Sequence, residues 1–205
     1  MRQTIIIAVP MKEHLDQSVY RSEDKSLPTS DKPVFYPINS YLDHALKDGD
    51  RLKVLLLLRQ GTHCHSEKNA ELYREELAGV IGERDVSVEY TVINTDFAQS
   101  RAIHTQLMGS LVDHLEDGAH ILVDTTYGPK DQPIIIFAAL GFAEKFLRCK
   151  AGHIFYGQAE FVNGHVTDTR LCDLSPLYGL SSVTGLIRCD QPGKARNMLK
   201  MLLSS

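Results

Sequence analysis

Asp124, Thr126, Gly128 and Lys130 place an acid, a hydroxyl, a glycine and a cation at alternating positions of one short stretch, VDTTYGPKDQ. This mixture suits phosphate chemistry. Lys130 can pair with a phosphate or stabilise the charge that develops as a phosphodiester is cut. Thr125 and Thr126 can donate to phosphate oxygens, or cap a helix instead. Gly128 permits close backbone approach or a positive φ. Tyr127 is suited to stacking on a base, and equally to burial within the loop. Asp124 would repel a phosphate, so its expected part is to hold loop N–H groups or hydroxyls in place. Pro129 and Gln132 complete the candidate ligand loop.

The flanking elements decide whether these residues can act. Ile121-Leu122-Val123 predicts a strand that ends at Asp124, and Pro133 opens an apolar helix reaching Phe146. Strand, loop and helix then put the polar residues at a strand's carboxyl end, the ligand-binding edge of an open α/β sheet. The helix start is expected to offer unpaired N–H groups and a positive dipole end. Upstream, strands are predicted over 4–9, 51–58 and 86–93, and helices over about 37–47, 66–81 and 99–115. The run Val54 to Leu58 fits a strand buried on both faces. Ser66 is the expected cap of the second helix. Downstream, 153–161 and 165–171 read as a hairpin turning at Asn163-Gly164. Helices follow over about 174–186 and 192–203, the last one capped by Asp190. The pattern predicts a Rossmann-like, doubly wound, mainly parallel α/β sheet with an antiparallel edge hairpin near the C-terminus.

Composition narrows the class. The 205 residues suit one domain, and 43% hydrophobic residues are ample for one core. A net charge of -4 argues against a general nucleic-acid coat, and direct DNA binding is not expected. No apolar run is long enough for a signal peptide or a membrane span, so a cytoplasmic location is expected. The four cysteines, Cys64, Cys149, Cys172 and Cys189, form no CxxC pair and are expected to be reduced.

Other sites are less supported. There is no GxxxxGK[ST] and no GxGxxG after the first strand, so a P-loop and a dinucleotide fold are not indicated. The loops after the first two strands read Pro10-Met11-Lys12-Glu13-His14 and Gln60-Gly61-Thr62-His63-Cys64-His65. In a doubly wound sheet both would lie beside residues 125–132. That makes Pro10, Met11, Lys12, Gly61 and Thr62 further candidate contacts. In an extended segment Cys64 would point away from His63 and His65, so no metal site is expected. His14, His104 and His114 read as surface or helix histidines. Residues 10–34 are long for a strand-to-helix connection, which suggests a functional or mobile loop.

The segment V-D-T-T-Y-G-P-K, between a hydrophobic strand and an apolar helix, resembles the ligand loop of CARF domains, the Rossmann-fold sensors of type III CRISPR systems. That family's pattern is Asp or Asn, a hydroxyl residue, Gly, then Lys or Arg two positions later, which Asp124, Thr126, Gly128 and Lys130 match. I-F-Y-G-Q-A-E (154–160) and C-D-L-S-P-L (172–177) are similar to its distal strand pair and the segment after it. The resemblance spans residues 1–190, with 191–205 expected as a C-terminal helix packed on the same domain.

The resemblance implies a cyclic oligoadenylate ligand, most often the four-membered ring, bound across the two-fold axis of a homodimer. An even-numbered ring contains a two-fold axis of its own, so each half meets equivalent donors. Relatives usually carry a fused effector, whereas here the sensor-like part takes up nearly the whole chain. That resembles ring nucleases, which need no metal or cofactor and cleave the messenger by attack of a ribose 2′-OH on the adjacent phosphate. Lys130 would be the catalytic residue, with the 10–34 loop closing over the ring. The alternatives are a pure sensor acting through a larger or partner effector, and an unrelated nucleotide-binding α/β enzyme.

Overall fold

In the computed structural model, residues 1–25, 27–96, 98, 100–162, 165–186, 188 and 191–203 are described. Six strands form one sheet: β1 (Arg2–Ala8), β2 (Arg51–Arg59), β3 (Ser87–Thr95), β4 (His120–Asp124), β5 (Lys150–Val162) and β6 (His165–Asp173). Their order is β3-β2-β1-β4-β5-β6. All neighbours are parallel except β5 and β6, which are antiparallel. This is the expected Rossmann-like α/β architecture. The strand order reverses at β1, so the crevice between the outgoing ends of β1 and β4 is the topological switch point.

Alternation along the strands explains the unbroken apolar runs. Ile5 and Ile7 enter the core on one face of the sheet, with Val54 and Leu56 beside them. Ile6, Leu55 and Leu57 enter the core on the other face. Helices α1 (Pro37–Ala45) and α2 (Ser66–Ile81) cover the first face through Ile38, Leu42, Tyr73 and Leu77. Helices α3 (Arg101–His114) and α4 (Gln132–Phe146) cover the second through Leu107, Leu111, Ile136 and Leu140. Helix α5 (Ser175–Leu186) adds Tyr178 to that second core, its ring 5.4 Å from Phe137.

Several local expectations are corrected. Ser66 is the first residue of α2 and not its cap, and its hydroxyl donates to the Arg59 carbonyl. Helix α3 begins at Arg101, capped by Ser100, whose hydroxyl accepts from the Ile103 N–H. The final helix, α6 (Pro192–Leu203), buries none of its described side chains, and Met201 is 71% exposed. The Asn163-Gly164 turn, the Asp190 cap, Gln99 and Cys189 lie outside the described residues.

The largest correction concerns residues 10–34. They are not a free lid. After the end of β1 the chain crosses to the far edge of the sheet. There the Val19 carbonyl accepts from the Thr169 hydroxyl and the Arg21 carbonyl from the Leu171 N–H. Ser18 and Val34 exchange backbone hydrogen bonds, and Tyr20, Leu27 and Val34 are buried in the first core. The segment thus covers the exposed edge of β6, a face that would otherwise invite pairing with another strand. Residues 12–14, 16–17, 23–25 and 31–33 remain exposed.

Candidate functional site

The loop from β4 to α4 is built on a buried acid. Asp124 accepts from the Thr126 N–H at 2.9 Å and from the Ile38 N–H, in the first turn of α1, at 3.1 Å. Burial pushes its carboxyl above the usual range, while these donors pull it down. Glu76, on α2, accepts from the Phe35 and Tyr36 N–H groups and from the Asn39 amide. Burial raises its carboxyl too, and the nearby Asp124 adds to the shift. Two carboxylates therefore occupy the start of α1, and an anionic ligand has no place there.

The two threonines have internal tasks. Thr125 is buried and donates its hydroxyl to the Phe155 carbonyl at 3.0 Å. The Thr126 hydroxyl accepts from the Gly157 N–H at 2.8 Å. These bonds extend the β4–β5 pairing past Asp124 and hold the loop down. Tyr127 donates to the Phe35 carbonyl at 2.8 Å, and its ring meets the edge of Tyr36. Burial raises its phenol strongly. It props the loop against the start of α1 and does not stand out toward a base.

Gly128 has φ +90, and a Cβ there would lie 2.1 Å from Gln132 Oε1 and 3.2 Å from Ala8 Cβ. The turn closes over its own helix and over the end of β1, which only glycine allows. Gln132 is itself buried beneath it and is not a surface contact.

The expected free N–H groups of α4 are also corrected. Its first turn is satisfied locally, since Gln132 donates to the Pro129 carbonyl and Ile134 and Ile135 to that of Asp131. Pro133 has no N–H. The donors that form no hydrogen bond with any described residue lie one turn earlier, at Tyr127, Gly128, Lys130 and Asp131. Successive backbone N–H groups can hold an anion; here Pro129, which has no N–H, divides them into two pairs. Lys130 is exposed and makes no hydrogen bond or ion pair with a described residue. Pro129 is half-buried between them.

Neighbouring loops contribute unequally. The Asn69 amide donates to the Pro10 and Lys12 carbonyls at 2.8 and 2.9 Å, while the His65 N–H donates to that of Met11. Pro10 is buried and Met11 half-buried, so of these three Lys12 alone is presented, its Nζ 5.9 Å from the Tyr127 ring centre. Gly61 opens on a separate depression with Asn94 and Thr95, because β2 adjoins β1 and not β4. Thr62 is exposed on the same turn. Cys64 turns inward, its Sγ 2.9 Å from the Arg59 carbonyl, and among the described residues no group of three ligands could hold a metal.

Sequence reasoning missed the residues that brace the loop from a distance. Asp131 lies 2.9 Å from His104 on α3 and 3.9 Å from the buried Arg59 at the end of β2. Asn69 on α2 shapes the other wall. Their spacing from the loop carries no periodic signal, although a charged residue such as Arg59 closing an apolar strand was a visible hint.

The strand order defines a Rossmann-like α/β protein, with the candidate loop at its switch point. No family model and no curated protein matches the chain. Among solved structures it is similar to a point mutant of phosphofructokinase-2 from Escherichia coli, with 14% identity and a TM-score of 0.36, covering 72% of this chain and 53% of that one. The same enzyme in complex with fructose-6-phosphate gives 15% identity and a TM-score of 0.35 over 72% and 54% of the two chains. The chain thus spans about half the length of those enzymes. The class assignment rests on the sheet itself and not on this likeness. No described helix is long and apolar enough to cross a membrane.

Proposed function

We propose that this chain binds a cyclic oligoadenylate, cyclic tetra-adenylate foremost, between two copies related by a two-fold axis, and cleaves it without a metal. The observation that carries the reading is the turn at 127–131. It lies at the switch point, with an uncommitted lysine and uncommitted N–H groups on either side of Pro129. Such a turn accepts an anionic backbone and has no feature that selects a triphosphate.

The dimer is supported by the surfaces of α4 and α5. Ile134, Phe146 and Leu177 are 72%, 60% and 61% exposed, and α5 contains no charged residue. A helix that covers a sheet on one side does not need apolar residues on the other. Ile134 lies in the first turn of α4, four residues after Lys130. A two-fold passing near the start of α4 would bring both copies of Lys130 to one ring.

In cleavage, the ribose 2′-oxygen attacks the adjacent phosphorus. The bond to the neighbouring 5′-oxygen breaks, and the proton lost by the hydroxyl is balanced by the one gained at the leaving oxygen. A 2′,3′-cyclic phosphate and a 5′-hydroxyl result. Lys130 and the turn N–H groups stabilise the phosphorane charge. The reading as a pure sensor is favoured by one observation: the hydroxyls of Thr125, Thr126 and Tyr127 are engaged within the protein. Lys130 is then the one uncommitted side chain in that segment to aid turnover.

Incubation with cyclic tetra-adenylate, with and without EDTA, tests both. Tight binding with linear product in EDTA is expected, and binding without product leaves the sensor. No binding at micromolar concentration defeats the proposal. Lys130→Ala should weaken binding about tenfold or more, the value of a lost charged hydrogen bond, with an unchanged melting temperature.

A further inference from the structure

Asp131 works in two directions. Its backbone N–H is one of the donors left open at the 127–131 turn, while its carboxylate meets another helix. There Oδ2 lies 2.9 Å from Nε2 of His104, in the first turn of α3. That end of α3 is well fixed. Ser100 caps it, and the His104 N–H donates to the Ser100 carbonyl at 3.0 Å. Leu107 and Leu111 share the second core with Ile136 and Leu140, which sets α3 beside α4.

This placement separates His104 from other histidines of the chain. His14 is exposed beside Glu13, and the His114 ring meets the Ser110 carbonyl of its own helix. His153 also has an acid, its Nδ1 2.6 Å from Asp173 Oδ2, but it lies against the rings of Tyr41 and Phe155. Of these four, His104 alone stands with a carboxylate of the candidate turn. Its Nε2 is buried although its side chain is 37% exposed, so the open part of the ring lies away from Asp131. The Nε2 contact has the distance of a hydrogen bond but not its direction. Catalytic hydrogen bonds are often poorly aligned in unliganded sites and tighten when substrate binds.

We propose that His104, oriented by Asp131, is the general base of the cleavage described above; the inference rests on that reading and adds the group that takes the proton. A carboxylate that holds the N–H of Nε2 leaves Nδ1 as the acceptor of the neutral ring. Nδ1 removes the proton of the ribose 2′-OH as the oxygen–phosphorus bond forms. The 5′-oxygen leaves with a proton from solvent, and the imidazolium returns its own to solvent, so the protons balance. The buried Arg59 guanidinium lies 3.9 Å from Asp131 Oδ1 and offsets the charge that this carboxylate sets against a phosphate. Lys130 and His104 thus divide the work, one facing the phosphorane charge and the other the attacking hydroxyl.

Single-turnover cleavage of cyclic tetra-adenylate in EDTA by the full chain, with ring binding and melting temperature measured in parallel, tests the assignment. His104→Gln keeps an amide N–H for Asp131 but has no basic nitrogen. It should match the parent in melting temperature and ring affinity, and cut about a hundredfold or more slowly, the usual worth of a general base. His104→Ala should be as slow, and added imidazole should restore part of its rate. A Gln variant as fast as the parent, or an Ala variant whose rate imidazole does not raise, overturns the base and leaves the proposed cleavage intact. A parent that binds the ring without product overturns base and cleavage together and leaves the sensor. A parent that does not bind the ring defeats the ligand as well.

Discussion

At Gly128 a single missing methyl group shapes the loop between β4 and α4. The backbone has a positive φ, and the space for a Cβ is filled by the buried Gln132 side chain. Gly128→Ala should therefore destabilise the fold by about 1–3 kcal/mol, the usual cost of backbone strain at one position. Denaturant unfolding measures this, and a variant as stable as the parent would show that the loop can relax. Lys130 presents the opposite case: it is exposed and supports no neighbour, so its replacement should alter binding and leave stability unchanged. The alternating acid, hydroxyl, glycine and lysine were legible as a set. Which of them face a ligand was not, because Thr125 and Thr126 use their hydroxyls on β5, and β5 is paired to them only after folding.

Among the elements, the long connection from β1 to α1 changes most between sequence and structure. Its charged, aperiodic composition suggests a mobile lid, yet Tyr20, Leu27 and Val34 are core residues. Leu27→Ala should cost about 2–5 kcal/mol, as for other buried leucines. Replacing residues 12–16 by a short glycine-rich turn should leave the melting temperature nearly unchanged. A Leu27→Ala variant as stable as the parent, measured by thermal melting, would return the segment to the status of a lid. Three apolar anchors among many polar residues carry no period, and the segment's partners on β6 are distant in sequence; the Thr169 to Val19 bond spans 150 residues.

Across the whole molecule, two buried carboxylates at the start of α1 tie stability to pH. Burial holds Glu76 above its unfolded value, with the donors of Phe35, Asn39 and Tyr36 opposing the shift. An acid raised in this way contributes stability that is fully present below its unfolded pKa and lost as pH rises through the folded one. Thermal melting should thus show the parent losing more stability than Glu76→Gln between about pH 5 and pH 8. Parallel curves would show that Glu76 does not titrate in this way. The apolar outer surfaces of α4 and α5 bear on assembly. Light scattering should find a dimer, and Ile134→Asp should yield a folded monomer with weakened ring binding. A parent that is monomeric at tens of micromolar, estimated against the affinities usual for such interfaces, would remove the shared site.

The chain by itself determined the layering of strands and helices, because hydrophobic periodicity is a local property and each apolar run needs a core on the faces it presents. It also placed the polar loop after Asp124 at the outgoing end of a strand. Only the tertiary structure decided how the polar groups there are shared out. Arg59, Asn69, His104 and Glu76 brace the loops from other elements, while the side chain of Lys130 forms no hydrogen bond or ion pair with a described residue. A hydrogen bond depends on which groups become neighbours in space, and that information is absent from spacing along the chain.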